Sequence, residues 1–218
     1  MSKPEPVTFQ PPDADCRLCP RLAEFRDEQR TAHPDWFNAP VPAFGDRNCQ
    51  VLIAGLAPGM RGANRTGRPF TGDYAGDLLY ATLTKFGLAE GRYQARPDDG
   101  LELKNCLILN AVRCLPPQNK PTPAEIKQCN IYFAGEIATL PRLKCILALG
   151  RIAHEAILTG EGLVRARYPF GHNARHDLPG GLVMFNSYHC SRYNTNTGRL
   201  TEKMFEQVFE QIAAYLDG

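Results

Sequence analysis

The chain has 218 residues, of which 43% are hydrophobic and 22% charged, with a formal net charge of +2. Those proportions describe a globular protein that buries a core, and they exclude a disordered or low-complexity chain. No apolar run approaches the roughly 20 residues of a membrane span.

The N-terminal segment, residues 1–13, is Pro-rich and lacks the apolar core of a signal peptide, so it is expected to be flexible and the protein cytoplasmic. Residues 51–55 (VLIAG) form an apolar run that ends in Gly, as a buried parallel strand does. A long loop follows, and then DLLYATLTKFGL spaces its apolar residues like a helix that ends at Gly87. Residues 106–112 (CLILNAV) make a second strand. Thr122, Pro123 and Glu125 open a helix with a capping box, expected to run to about Ala138. KCILALG (144–150) is a third strand, RIAHEAIL (151–158) a helix, and GLVMFNSYH (181–189) a fourth strand. Residues 200–216 form a last amphipathic helix capped by Thr201.

Alternating strands and helices imply one domain, residues 14–218, of the α/β class: three α/β/α layers around a mainly parallel four-stranded sheet. Ligands of such sheets sit at the carboxyl ends of the strands. The segments that fall there are 55–77, 110–121 and 187–199. Basic residues gather in loop segments: Arg61, Arg65 and Arg68, then Lys120, then Arg192 and Arg199. Such clusters are commonly a solvated face, and a nucleic-acid surface is the sharper alternative.

In a reducing compartment, eight cysteines favour thiols or metal ligands over disulfides. Cys16 and Cys19 form a CxxC pair that precedes every strand, unlike a redox motif in a βαβ unit. Cys114 follows the second strand, and Cys129 lies on the capped helix. Cys49, Cys106 and Cys145 abut apolar strands and read as inert buried thiols. Zinc and a [4Fe–4S] cluster both accept four thiolates, and both stay open on spacing, although the wide second pair suits the larger cluster better.

Four stretches extend this reading. GLAPGMRGANRTGRPFTGDYAGDLL (55–79), AVRCLPPQNKPTPAEI (111–126), ALGRIA (148–153) and SYHCSRYNTNTGRLT (187–201) together resemble a uracil-DNA glycosylase of the iron–sulfur type. The resemblance is to family 5, or type b. The family-4 loop resembles GEAPG, whereas Leu56 stands here in place of its Glu. The resemblance covers about residues 14–215. It implies that Cys16, Cys19, Cys114 and Cys129 bind a structural [4Fe–4S] cluster.

It also implies base excision. The base leaves the stack for a pocket, the bond from its N1 to the sugar C1′ breaks, and the base departs as an anion. Phe70 on its own is a hydrophobic plug in a polar loop, but it matches the family's base-stacking Phe. His189 matches the catalytic His, a donor to the departing base. Asp73, by default a helix cap, matches a catalytic carboxylate, with Asp77 as runner-up. Asn110 matches a base-reading amide. Asn119, otherwise a turn-former between prolines, matches a residue implicated in catalysis. Gly59 begins a Gly-rich turn whose amides meet base or phosphate.

Arg192 and Tyr193 fall in a segment that resembles the family's loop that enters the minor groove, which implies DNA contacts there, and Arg65 is expected to join them. Cys190 follows His189, where an oxidisable thiol would lie near DNA. His33, His154, His172 and His176 match nothing and read as packing or surface residues. No lysine matches a Schiff-base nucleophile, which makes the enzyme monofunctional. The expected partners are single- and double-stranded DNA with damaged bases and downstream repair enzymes; neither a membrane nor an obligate oligomer is expected. The rival readings are a strict family-4-like uracil glycosylase, a catalytically silent iron–sulfur DNA-binding module and a small electron-transfer protein.

Overall fold

The computed structural model describes residues 9–218. Most of the segment expected to be flexible, residues 1–8, lies outside them. The ring of Phe9 packs below Arg47, whose guanidinium carbon is 5.9 Å from the ring centre.

The core strands are β2 (Val51–Gly55), β5 (Cys106–Asn110), β6 (Cys145–Leu149) and β8 (Val183–Ser187), each buried at all five positions. Burial on both faces explains why these runs are continuously apolar instead of alternating. They lie parallel in the order β5-β2-β6-β8, with Ile53 paired to Ile108 on one side and Leu147 on the other.

Two edge strands correct the expected count of four to six. β1 (Phe44–Gly45) and β7 (Arg175–Asp177) pair antiparallel to β5 and β8. At two and three residues, neither carries a readable apolar pattern. A separate hairpin joins β3 (Ala89–Glu90) to β4 (Glu102–Leu103).

Helices cover both faces. On one, α3 (Tyr74–Lys85) and α7 (Glu202–Asp217) set Leu79, Leu83, Phe205 and Phe209 against Val51, Ile53 and Ile108. On the other, α4 (Pro123–Ile137) and α5 (Arg151–Gly160) set Phe133, Ala156 and Ile157 against Leu52, Ala54 and Leu107. The capping box of α4 is present in full, with Thr122 Oγ1 accepting from Glu125 N and the Glu125 carboxylate accepting from Thr122 N. Thr201 caps α7 by accepting from Met204 N.

A helix the sequence reading does not anticipate, α1 (Pro20–Ala32), precedes the sheet. Its inward face is Leu22, Ala23, Arg26 and Gln29, so half the buried positions are polar and no apolar stripe marks it. Two short helices, α2 (Ala63–Thr66) and α6 (Arg192–Asn196), lie in segments read as loops.

From β2 the chain crosses first to β5 and then to β6 on the opposite side of β2. This reversal opens a crevice beyond the carboxyl end of β2, where open α/β sheets bind their ligands.

Candidate active site

A cleft of about 430 Å³ occupies that crevice. Phe70, Asp73, Asn110, Asn119, Gly59, His189 and Arg192 all line it, together with Leu56, Ala57 and Tyr74. A larger groove of about 570 Å³ lies elsewhere, under Phe9, Phe37 and Pro40, and holds none of the candidate residues.

Phe70 and Asn110 shape one wall. Asn110 ends β5 directly opposite Gly55 at the end of β2, and its side chain is buried. Phe70 is buried at a backbone φ of +52°, a region that bulky residues rarely occupy. Glycine is required at 55 because a Cβ there would collide with Asn110 Oδ1 and stand 2.7 Å from the Phe70 ring. The His189 ring lies 5.9 Å from that of Phe70, centre to centre, tilted by 30°. Burial pushes the His189 imidazole down to about 4, so it is neutral at physiological pH.

Asp73 occupies the N-cap position of α3, as its default reading has it, but its carboxylate makes no capping hydrogen bond to the first turn. Oδ1 is buried with no hydrogen-bond partner among the described residues, and Oδ2 faces Gly59 and Gly62. A Cβ on Gly62 would strike the carboxylate, so this glycine makes room for it. Burial raises the Asp73 pKa from its ordinary value, the nearby amides of Gly76 and Ala75 act against that, and Asp77 adds to it. Asp77 itself is exposed on the first turn of α3 and does not line the cleft.

Cys190 corrects an expectation. Its thiol is fully buried and pushed up to about 12, first by burial and then by the charge of Asp73. A thiol so placed is inert, because the thiolate is the reactive form.

Asn119 closes a turn in which Gln118 and Asn119 both have positive φ, and it faces the cleft from the exposed side. Arg192 begins α6 and lies across the ring of Tyr74, with its guanidinium carbon 5.1 Å from the ring centre. Tyr193 beside it is 72% exposed. Arg65 is also exposed, but it lines a different groove with Trp36 and Phe37, so the structure does not bring it into the cleft.

Arg68 departs from the basic surface cluster altogether. It is buried and forms a two-pronged ion pair with Asp99, both prongs at 2.8 Å. No sequence signal links these two residues, and the pair is the main feature of the site region that the sequence reading misses. None of His33, His154, His172 and His176 lines the cleft. Buried His154 bonds Asn186 and the carbonyl of Tyr168.

Away from the cleft, Cys16, Cys19, Cys114 and Cys129 all border one small cavity between α1, α4 and the segment after β5. Arg26 reaches it from α1, with Nη1 3.9 Å from Cys114 Sγ. Arg26 is 2% exposed, and among the described residues its Nε and Nη2 have no hydrogen-bond partner and no carboxylate bonds it. A buried cation without a counter-ion is costly, and thiolates around this cavity would supply the missing negative charge. The residues present therefore fit an anionic metal–thiolate group. No three of the described His, Cys, Asp or Glu side chains converge as a single metal ion requires.

The comparisons with known proteins agree with this geometry. A family model described as "Uracil DNA glycosylase superfamily" matches residues 42–213. A type-5 uracil-DNA glycosylase of Thermus thermophilus is 48% identical over 199 residues, 88% of this chain and 90% of that protein. Proteins of the same description from Mycobacterium tuberculosis and Pyrobaculum aerophilum are 40% and 36% identical. These alignments cover 90% and 91% of this chain, and 76% and 88% of the relatives. On a cleft built at the β2–β5–β8 ends and a match across most of its length, the chain belongs to the uracil-DNA glycosylase superfamily, in its type-5 branch.

Proposed function

We propose that the cleft receives a base flipped out of DNA and hydrolyses its N-glycosidic bond, acting on uracil and on other deaminated bases such as hypoxanthine. One observation carries the reading: in a uracil-DNA glycosylase, Phe70, Asn110, Asp73 and His189 line a single cleft. In this proposal the flipped base stacks on Phe70, and the Asn110 amide pairs with its edge. The neutral His189 donates a hydrogen bond to the base oxygen that gains charge as the bond breaks. Asp73, with one oxygen free of partners, stabilises the cationic sugar and orients the attacking water. Asn119 assists from the opposite rim. Leu56 and Ala57 are apolar and offer no acid of their own.

Arg192 and Tyr193 meet the DNA beside the vacated position, and the product is an abasic site for downstream repair enzymes. The substrate is single- or double-stranded DNA, and the protein acts as a monomer. Cys16, Cys19, Cys114 and Cys129 hold a [4Fe–4S] cluster that ties α1 to α4 and takes no part in hydrolysis. No helix of the described residues is long and apolar enough to cross a membrane.

The test is incubation with duplexes carrying uracil, hypoxanthine or thymine, scoring free base and alkali-labile abasic sites. Release of uracil and hypoxanthine but not thymine is expected. Uracil release alone would restrict the reading to the strict enzyme, and DNA binding without release of any base would overturn it in favour of a silent binding module.

A further inference from the structure

The strained backbone of Phe70 is surrounded by a bonded frame whose members stay out of the cleft. A bulky residue at positive φ is strained and persists only where its surroundings over-determine it. Here they do. The carbonyl before Phe70, that of Pro69, accepts from Tyr80 Oη at 2.6 Å and from Thr71 Oγ1 at 3.2 Å. The carbonyl of Phe70 accepts from Tyr93 Oη at 3.1 Å, and that hydroxyl accepts from Gly72 N at 3.3 Å. Thr71 Oγ1 in turn accepts from Arg68 Nε at 2.7 Å.

Arg68 then anchors the frame. Its two terminal nitrogens donate to the two oxygens of Asp99, whose side chain is fully buried. The guanidinium carbon lies 5.0, 5.4 and 5.7 Å from the ring centres of Phe44, Tyr80 and Tyr93. Asp99 also accepts from Gln94 N and Leu101 N, so the β3–β4 connection wraps around its carboxylate. An ion pair this buried is a poor source of net stability, since well-packed apolar residues often do as well. A planar fork held from both ends does fix position. None of Arg68, Tyr93 and Asp99 lines the cleft.

We infer that Arg68, Asp99 and Tyr93 are positioning residues for excision: they hold the Phe70 ring where the flipped base must stack. The inference rests on the reading of Phe70 as the stacking wall. It makes the β3–β4 hairpin part of the machinery although no residue of it lines the cleft.

The test compares Tyr93→Phe, Asp99→Asn, Phe70→Ala and the double variant Phe70→Ala/Tyr93→Phe in single-turnover excision of uracil with saturating enzyme. Binding to a duplex with an uncleavable 2′-fluorinated deoxyuridine is measured beside binding to undamaged duplex. Tyr93→Phe removes both hydrogen bonds of that hydroxyl and is expected to slow excision about 5- to 10-fold, with Asp99→Asn at least as slow. Both should weaken the uridine-analogue complex while leaving undamaged DNA binding unchanged. On the Phe70→Ala background, Tyr93→Phe should cost less than 2-fold, because there is no ring left to position. General structural damage would instead multiply through that background.

A slow Phe70→Ala with unchanged Tyr93→Phe and Asp99→Asn, or multiplying effects, overturns the brace alone. A fully active Phe70→Ala overturns the stacking wall and the brace with it. Should Asp99→Asn fail to fold, Tyr93→Phe, which removes one oxygen, still decides the matter.

Discussion

The rings of Phe70 and His189 stand 5.9 Å apart on segments that follow two different strands of the sheet, β2 and β8. Phe70 comes from the loop after β2, and His189 lies two residues beyond the end of β8. The space beside them exists because residue 55 has no side chain: a Cβ there would meet the Phe70 ring and Asn110 Oδ1. Gly55→Ala therefore tests whether this space holds the base. Overpacking costs about 1–3 kcal/mol, so uracil excision should fall roughly 5- to 150-fold. Binding to undamaged duplex should stay unchanged. Full activity of Gly55→Ala would place the base elsewhere.

The depressed pKa of His189 gives a pH prediction. An ordinary histidine gains its proton near 6.5, whereas burial holds this one down to about 4. The neutral donor is thus present across the whole range above that value and lost only as pH falls through it. Single-turnover excision should show no inflection at 6.5. The same shift bears on stability. Below 6.5 the unfolded chain binds a proton at His189 that the native chain refuses, so this residue's contribution falls from pH 6.5 towards 4. An inflection near 6.5 that disappears in His189→Ala would contradict the assignment.

How much of this was legible in the sequence depended on whether the signal was local. Thr122 and Glu125 state the start of α4 within four residues, and the structure forms that capping box as written. The four buried strands announce themselves as short apolar runs because both of their faces are covered. The helix α1 is silent because its inward residues include Arg26 and Gln29, and the place of Arg26 makes sense only once Cys114 lies beside it. Arg68 looked like one more loop cation, since nothing nearby in sequence names Asp99 as its partner. The candidate site residues arrived by resemblance of motifs; their convergence on one cleft could come only from the topology.

The cysteine cavity predicts composition. Protein made with iron available should be brown and carry about four iron and four labile sulfide per chain. Cys114→Ala and Cys129→Ala should lose colour and soluble yield, whereas Cys49→Ala, in the sheet core far from that cavity, should keep both. Stoichiometric zinc without sulfide would refute the cluster.

Arg192 predicts a salt dependence. It is exposed at the mouth of the cleft and rests on Tyr74, and the proposed DNA face would set a phosphate beside it. Each phosphate contact contributes about 0.9 to the slope of log affinity against log salt. Arg192→Ala should flatten that slope by about one, equally for uracil-containing and undamaged duplex. An unchanged slope would remove Arg192 from the DNA face.

The sharpest prediction separates Asp73 from Asp77. Asp73 lines the cleft with an unpartnered, buried oxygen, while Asp77 points to solvent one turn along α3. A carboxylate kept short of hydrogen bonds destabilises the fold, a condition tolerated where chemistry needs it. Asp73→Asn should therefore do two opposite things. It should slow hypoxanthine release by roughly 100-fold or more, the order expected for a lost acid–base or charge-stabilising group. It should also raise Tm by about 2–4 °C, if relief of the buried charge is worth about 1 kcal/mol. Uracil, the better leaving group, should suffer less from the same change. His189→Ala should slow hypoxanthine release to a similar degree, through loss of the donor to the departing base. Asp77→Asn should match the parent protein in rate and in Tm. Single-turnover rates isolate the chemical step, and iron content with circular dichroism checks each fold. A crippled Asp77→Asn beside a fully active Asp73→Asn would reverse the assignment of the two carboxylates.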